Sequence, residues 1–313
     1  MKFAFVFPGQ GSQSVGMMTG YGDHEVIRQT FVEAADTLKE DYWRLAQDGS
    51  AEDLAKTVIT QPLMLTADIA VWRYCLSQNL PVPSMLAGHS LGEYAALVAG
   101  GVLSFQDALH LTRFRAEHMQ AAVPEGTGGM AAILGLEDSE VEAACAEAAQ
   151  GEVLEAANFN SPGQVVIAGT KEAVLRGIEA AKARGAKRAI ALAMSVPSHC
   201  GLMRGASEHL ADMLSSIAIQ SPHIPVVHNC DMQAHHEPAA IKRALTQQLF
   251  MPVRWVGVVR SMADAGITAI AECGPGKVLA PLCKRIDERL VGFALNDQAG
   301  IEQWMTTLQG SAA

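Results

Sequence analysis

A serine between two glycines, Gly88-His89-Ser90-Leu91-Gly92, has the spacing of a nucleophile elbow, a sharp strand-to-helix turn with the hydroxyl exposed at its tip. The helix that follows aims its N-terminal amides at the same spot, where developing negative charge is favoured. In a chain with 28 glycines the pentapeptide alone is weak evidence, and a plain tight turn is the competing reading. Three further stretches could complete a site. The loop Pro8-Gly9-Gln10-Gly11-Ser12-Gln13 has two glycines that free its amides to face an anion. It lacks the third glycine of a dinucleotide fingerprint and the Gly-Lys-Ser/Thr ending of a P-loop. Arg115 shares a helical face with Ala108, Leu111, Met119 and Ala122, so its guanidinium projects from an apolar stripe. An internal carboxylate, a snorkelling conformation or a substrate carboxylate held in a bidentate clamp would each satisfy it. Arg113 lies four residues before Glu117, the spacing of an exposed ion pair.

Ten histidines compete for the role of general base. His89 adjoins Ser90, but neighbours along a strand point to opposite faces, which argues against it. His199 lies in the proline-bent segment Ser195-Val196-Pro197-Ser198-His199-Cys200, ahead of a helix expected near Met203, a loop position that can be held over a sheet edge. His228, Cys230, Asp231, His235 and His236 are metal-ligand types, but their spacing fits no zinc template; a solvated loop without metal is expected.

The elements that must position these residues read as follows. Lys2 to Phe7, Met85 to Ala87, Ile224 to Val227, Ile267 to Ala271 and Leu290 to Leu295 are apolar runs separated by helices, which predicts a parallel α/β sheet covered on both faces. Ligands of such sheets sit at the carboxyl ends of strands, where the Gln10 loop, Ser90 and Gly274-Pro275-Gly276 fall. Thr60 as cap and Pro62 in the first turn predict a helix carrying Leu65, Ile69, Trp72 and Leu76. Ser104 caps another that runs to about Ala122, and Gly100-Gly101 stops the elbow helix. Further helices are expected at Pro238 to Leu249 and Val253 to Ala265. After a glycine-rich connection at 124–129 come strand Met130 to Leu134, helix Asp138 to Ala149, strands Val153 to Ala157 and Gln164 to Ala168, helix Lys171 to Arg184 and strand Arg188 to Met194. That order predicts a ferredoxin-like small subdomain at 128–196, inserted into a large subdomain formed by 1–127 and 197–313, with Asn160 beside their junction.

At 313 residues and 49% hydrophobic content the chain can bury a sizeable core. Acidic residues outnumber basic ones 33 to 23 and no basic run of five occurs, so nucleic acid is not an expected partner. The six cysteines include no C-x-x-C pair, which fits a reducing, cytoplasmic setting. The apolar start, Met1 to Phe7, is too short for an export signal or a membrane span, and no membrane association is expected.

Phe7-Pro8-Gly9-Gln10-Gly11-Ser12-Gln13, Thr60-Gln61-Pro62, Gly88-His89-Ser90-Leu91-Gly92-Glu93-Tyr94, Arg115, Pro124-Glu125-Gly126-Thr127-Gly128, Pro197-Ser198-His199, Gln248 with Pro252-Val253-Arg254-Trp255, and Gly274-Pro275-Gly276-Lys277 together resemble malonyl-CoA:acyl carrier protein transacylase. The resemblance runs in order along nearly the whole chain. It implies an α/β-hydrolase-like parallel-sheet large subdomain with a ferredoxin-like insert, and transfer of malonyl from coenzyme A to the phosphopantetheine thiol of holo acyl carrier protein in fatty-acid synthesis, without a cofactor. Carried over by position, Ser90 is the nucleophile, His199 the base, and the backbone amides of Gln10 and Leu91 the oxyanion hole. Arg115 would bind the malonyl carboxylate, a loop carbonyl at Gln248 would orient His199, and Gln248 and Asn160 would border the substrate. Met251, where asparagine is frequent in the family, and Pro281, where a small residue is common, depart from it. A monomer is expected, docking its acidic carrier through a basic patch at Lys182, Arg184, Lys187 and Arg188 or at Lys284, Arg285 and Arg289. A serine thioesterase using the same elbow, an acyltransferase serving polyketide or malonate metabolism, and a carrier-docking subunit with a silent dyad are the alternatives.

Overall fold

The computed structural model describes residues 1–194 and 196–310; Ser195, at the head of the segment carrying His199, lies outside the described residues. The strands in chain order are β1 (Phe3–Phe7), β2 (Met85–Gly88), β3 (Gly128–Leu134), β4 (Leu154–Ser161) and β5 (Gln164–Thr170). They are followed by β6 (Arg188–Ala191), β7 (Val226–Val227), β8 (Ala269–Glu272) and β9 (Val291–Ala294). Two sheets result. The first is parallel with order β7-β2-β1-β8-β9, in register Phe7 with Gly88 and Val6 with Glu272. Its central strand β1 is buried at every position, as an unbroken apolar run requires when helices cover both faces. The second is antiparallel with order β4-β5-β3-β6, backed by helices Asp138–Ala149 and Lys171–Ala183, the ferredoxin-like arrangement. The two meet where β4 runs beside the Pro252-Val253 segment: the Phe159 N–H donates to Val253 C=O at 2.9 Å and the Val253 N–H to Ala157 C=O at 2.8 Å.

The elbow depends on backbone passing close to backbone. A Cβ on Gly88 would overlap the backbone of Gly92 and Glu93, and one on Gly92 would overlap the carbonyl of Phe7, so only glycine lets the turn close against β1. Ser104 caps the helix Phe105–Ala121 through a bond from the Asp107 N–H at 3.0 Å, and Gly100, followed by Gly101 at φ 75°, ends the helix Gly92–Ala99.

Several boundaries differ from the sequence reading. The helix expected to open at Thr60 begins at Thr57 and ends at Ser77, with Pro62 inside it. Thr60 is no cap; its hydroxyl donates to Leu54 C=O at 2.6 Å and Lys56 C=O at 2.9 Å. Proline is accommodated because its sixth place in the helix removes only one early intrahelical bond. This helix is buried almost all round, so no one-sided apolar stripe marks it, and Leu76, expected on the core face, is exposed. Strand β6 ends at Ala191 rather than Met194, and the helix expected from Val253 begins at Trp255 because Val253 is used in pairing with β4. Pro281 falls at the start of the helix Ala280–Ile286, where no N–H is needed, so this departure from the family pattern leaves the helix intact. All six cysteines are free and buried. Among the described residues no helix is long and apolar enough to cross a membrane.

Asp68 sits on the buried helix Thr57–Ser77 with zero exposure, packed against the Cα of Gly274, and neither of its carboxylate oxygens has a hydrogen-bond partner. Burial first, and then the negative field of Glu272, push its pKa well above the usual carboxylate range. A carboxyl whose folded pKa is raised adds stability that is complete below its unfolded pKa of about 4 and is lost as pH rises through the folded value, at up to about 1.4 kcal/mol per pH unit. Asp68→Asn, which cannot ionise, should therefore be more stable than the native chain in urea denaturation. Its advantage should widen by about 1 kcal/mol or more between pH 5 and pH 7; an advantage independent of pH would mean that Asp68 is already ionised in the native state.

Candidate active site

Ser90 stands between the end of β2 and the helix Gly92–Ala99 with φ 52°, and His199 has φ 62°, both in the left-handed region that costs a side-chain-bearing residue about 1–3 kcal/mol. The surrounding bonds hold both in place. The Ser90 N–H donates to Asn229 Oδ1 at 2.7 Å, and Ser90 C=O accepts from Gln248 Nε2 at 2.9 Å. The His199 N–H donates to Leu249 C=O at 2.9 Å. Across 109 residues of sequence, Ser90 Oγ and His199 Nε2 lie 2.7 Å apart. The other ring nitrogen, Nδ1, is 2.7 Å from the backbone carbonyl of Gln248. A carbonyl only accepts, so Nδ1 carries the hydrogen and Nε2 is the free base facing the hydroxyl. His199 is 2% exposed; burial, and after it the positive charge of Arg115, push its pKa down to about 3, so the resting imidazole is neutral.

The expected loop carbonyl is, in the structure, the last residue of the helix Pro238–Gln248, whose terminal carbonyls have no intrahelical partner and are free to accept. Its side chain is equally engaged. Gln248 Nε2 donates to Glu93 Oε2 at 2.9 Å as well as to Ser90 C=O, and its Oε1 accepts from Arg115 Nη2 at 3.2 Å.

Arg115 is 2% exposed, as its apolar stripe predicted, but its partners are neutral. Nη1 donates to Gln61 Oε1 at 2.7 Å, Nη2 to Gln248 Oε1 and to Ser90 Oγ at 3.2 Å, and Nε has no partner. Among the described residues no carboxylate lies within ion-pair distance of it, which excludes the internal salt bridge, and burial removes the snorkelling alternative. Arg113 makes its exposed pair with Glu117 at 2.8 Å.

A cavity of about 200 Å³ opens over these groups, bordered by Gln10, Ser90, Leu91, Arg115 and His199 on the large-sheet side and by Met130, Asn160 and Leu192 from the small sheet. Gln10 and Leu91 line this cavity, and their backbone N–H groups have no acceptor among the described residues. His89 also lines the cavity, against the expectation that strand alternation would turn it away. The turn at Ser90 breaks the two-residue period, and His89 stacks edge-on near Trp255 and donates from Nε2 to Asn160 Oδ1 at 2.8 Å. It does not bond Ser90, whose hydroxyl is taken by His199 and Arg115. The histidine-rich stretch is not the solvated loop expected: His228 and Cys230 are buried, His228 bonds Glu93, His235 bonds Asp231, and the two rings lie 5.3 Å apart. Of the expected docking cations, Arg184 is paired with Glu140 and Glu147, Lys182 with Glu179, and Arg289 with Asp264 and Asp287.

Gln61, Glu93 and Asn229 have no role in the sequence reading. Gln61 and Glu93 lie inside motifs that carry the family resemblance, which is the signal that could have found them, whereas Asn229 carries none apart from the contacts it makes. Together the groups can do one kind of chemistry: a hydroxyl with a neutral imidazole base, two amides for an oxyanion and a buried cation for an anionic acyl group suit nucleophilic acyl transfer through a seryl ester.

The comparisons with known proteins agree with that chemistry. The sequence profile of the acyl transferase domain family matches residues 4–288. The chain is 51% identical over 306 residues to a malonyl CoA-acyl carrier protein transacylase of Salmonella typhimurium, covering 97% of this chain and 99% of that one. An acyl-carrier-protein S-malonyltransferase of Burkholderia pseudomallei superposes with a TM-score of 0.96 at 53% identity, covering 98% of this chain and all of the other. A structure of a type II PKS acyl-carrier protein in complex with its malonyl-transacylase superposes with 0.95 at 49% identity, covering 97% and 98%. With a family profile over most of its length, and relatives this similar from end to end, the chain belongs to the acyl transferase domain family and, within it, to the malonyl CoA-acyl carrier protein transacylases.

Proposed function

We propose that the chain moves a malonyl group from coenzyme A to the phosphopantetheine thiol of acyl carrier protein through an ester on Ser90, as a cytoplasmic monomer in which residues 128–196 form the small subdomain. The observation that carries this reading is Arg115: a buried guanidinium whose partners are the amides of Gln61 and Gln248 and the Ser90 hydroxyl, with no carboxylate among the described residues within ion-pair distance. A cation in that state calls for an anionic ligand, and one 3.2 Å from Ser90 Oγ suits an acyl group whose free carboxylate lies a short chain away from its thioester carbon. The cavity of about 200 Å³ beside Ser90 offers room for a short acyl group such as malonyl. Six buried free thiols support the reducing compartment.

The steps follow from the geometry. Ser90 Oγ attacks the thioester carbon while its proton passes to His199 Nε2, and the imidazolium is held by the bond from Nδ1–H to Gln248 C=O. The N–H groups of Gln10 and Leu91 take the developing oxyanion; losing one such donor typically costs about 3–4 kcal/mol of transition-state stabilisation. Collapse expels the thiol with the proton from His199 and leaves malonyl on Ser90. The second thiol reverses the sequence. Arg115 has a further effect: its charge is, after burial, the second of the causes that depress His199, so a malonyl carboxylate that neutralises it relieves part of that depression. The substrate thereby raises the basicity of the group that attacks on its behalf. Asn160, bonded to His89 at the cavity wall, borders the acyl group from the small subdomain.

Intact mass after mixing with malonyl-CoA should show one added malonyl group, cleared by a pantetheine thiol; release of free malonate instead would indicate a hydrolase. In Arg115→Ala, kcat/KM for malonyl loading should fall by about 100-fold or more while acetyl loading changes little, and an unchanged malonyl preference would end the clamp assignment. The base acts only when unprotonated, so its activity is lost as pH falls through its own pKa. With that pKa depressed, kcat/KM for loading should stay level from pH 8 down to about 5, its acid limb lying well below the 6.5 of a free imidazole. Stopped-flow release of coenzyme A checks this; a limb near 6.5 would place His199 in a solvated setting.

A further inference from the structure

Glu93 lies in the first turn of the helix that follows Ser90, with zero exposure. Its Oε1 accepts from His228 Nδ1 at 2.7 Å. Its Oε2 accepts twice, from the Asn229 backbone N–H at 3.0 Å and from Gln248 Nε2 at 2.9 Å. Those two neighbours are the residues whose side chains bind the peptide groups of Ser90. Asn229 Oδ1 takes the Ser90 N–H, its Nδ2 donates to Gly88 C=O at 2.7 Å, and Gln248 Nε2 is shared between Glu93 and Ser90 C=O. Gln248 in turn accepts from His199 with its backbone and from Arg115 with its side chain. One carboxylate thus sets the separation between the segment at Asn229 and the helix end at Gln248.

We propose that Glu93 is a positioning residue of the reactive centre, its carboxylate spacing Asn229 and Gln248 so that Ser90, His199 and Arg115 keep their mutual geometry. Glu93 reaches no substrate and acts through its neighbours. The inference rests on reading Ser90 and His199 as nucleophile and base. What it requires is reach. Glu93→Asp keeps the charge but withdraws the carboxylate by about 1.5 Å, one carbon–carbon bond. Glu93→Gln loses the charge but keeps the reach: its carbonyl can accept from Asn229 and Gln248 while its NH2 donates to His228 in the alternative imidazole tautomer.

The test reads both variants and the native chain by the rate at which a fluorophosphonate labels Ser90, by kcat and KM for malonyl loading, by urea midpoint, and by the proton resonance of His199 Nδ1–H. Misplacement on the ångström scale costs about 100-fold in rate, so Glu93→Asp should lower the labelling rate and kcat by about that factor, leave KM within about threefold and shift the His199 resonance. Glu93→Gln should stay within about fivefold of the native chain on every measure. Equal losses in the two variants, a larger loss in Gln than in Asp, no loss in Asp, or losses that only follow the unfolded fraction would each overturn the proposal. The probe needs no malonyl recognition, which separates the two readings. A native chain labelled by the probe but not loaded with malonyl ends the transfer reading and leaves the positioning test intact; one that takes neither ends both.

Discussion

Ser90 can hold φ 52° only while its own peptide groups are satisfied, and two side-chain amides complete this: Asn229 takes the N–H, and Gln248 donates to the carbonyl beside the Glu93 N–H of the following helix at 3.1 Å. That requirement organises the large subdomain. It brings the segment after β7 and the end of the helix Pro238–Gln248 to the same turn, more than 130 residues away in sequence, and the second of these delivers the carbonyl that fixes the tautomer of His199. Strand β1 and its loop supply the opposite wall, reached only because Gly88 and Gly92 have no side chain to keep the backbones apart. An elbow of this kind stores strain that the rest of the fold must hold, and here the groups that hold it directly are two buried, hydrogen-bonded amides, backed by the carboxylate of Glu93.

Charge is handled in the same way. Arg115 is kept in the interior by amide oxygens from Gln61 and Gln248, acceptors strong enough to orient a guanidinium but carrying no net charge to neutralise it. A carboxylate in place of either glutamine would satisfy the arginine permanently and leave nothing for a ligand to gain. The same charge, offset only at a distance by Glu93, lowers the basicity of His199 in the resting protein, so a buried cation without an ion pair and a weakened imidazole are two results of one arrangement.

Much of this was legible in the chain. Five apolar runs separated by helices are the five strands of the parallel sheet, and the strand-helix-strand-strand-helix-strand order of the insert became a sheet with the strand order that pattern implies. Arg115 was legible because a helical face is a local, periodic property. His199 was legible only in part: its proline-bent loop made it a candidate, but local pattern could not choose it as the base, the resemblance to a family did, and its contact with Ser90 spans 109 residues. Two local rules misled. Pro62 suits the first turn of a helix, yet the helix begins a turn earlier; strand alternation would turn His89 away from the site, yet the backbone turns left-handed at Ser90 and His89 lines the cavity. Asn229 acts through tertiary partners alone, which no spacing along the chain encodes, and Glu93, though part of the serine motif, shows its role only through such partners.

The six buried cysteines acquire a meaning beside this chemistry. A protein that passes an acyl group between two foreign thiols is exposed to a third acceptor, its own. Cys200 directly follows His199, yet its Sγ is turned to the carbonyl of Pro197 at 3.2 Å, and burial pushes its pKa up to about 12, as it does for Cys145, Cys230 and Cys283. The thiolate is the reactive form, so thiols held this far from ionisation are poor nucleophiles even beside a labile ester. Their burial works as insulation: the acyl group leaves with the carrier because the protein offers it no sulfur of its own.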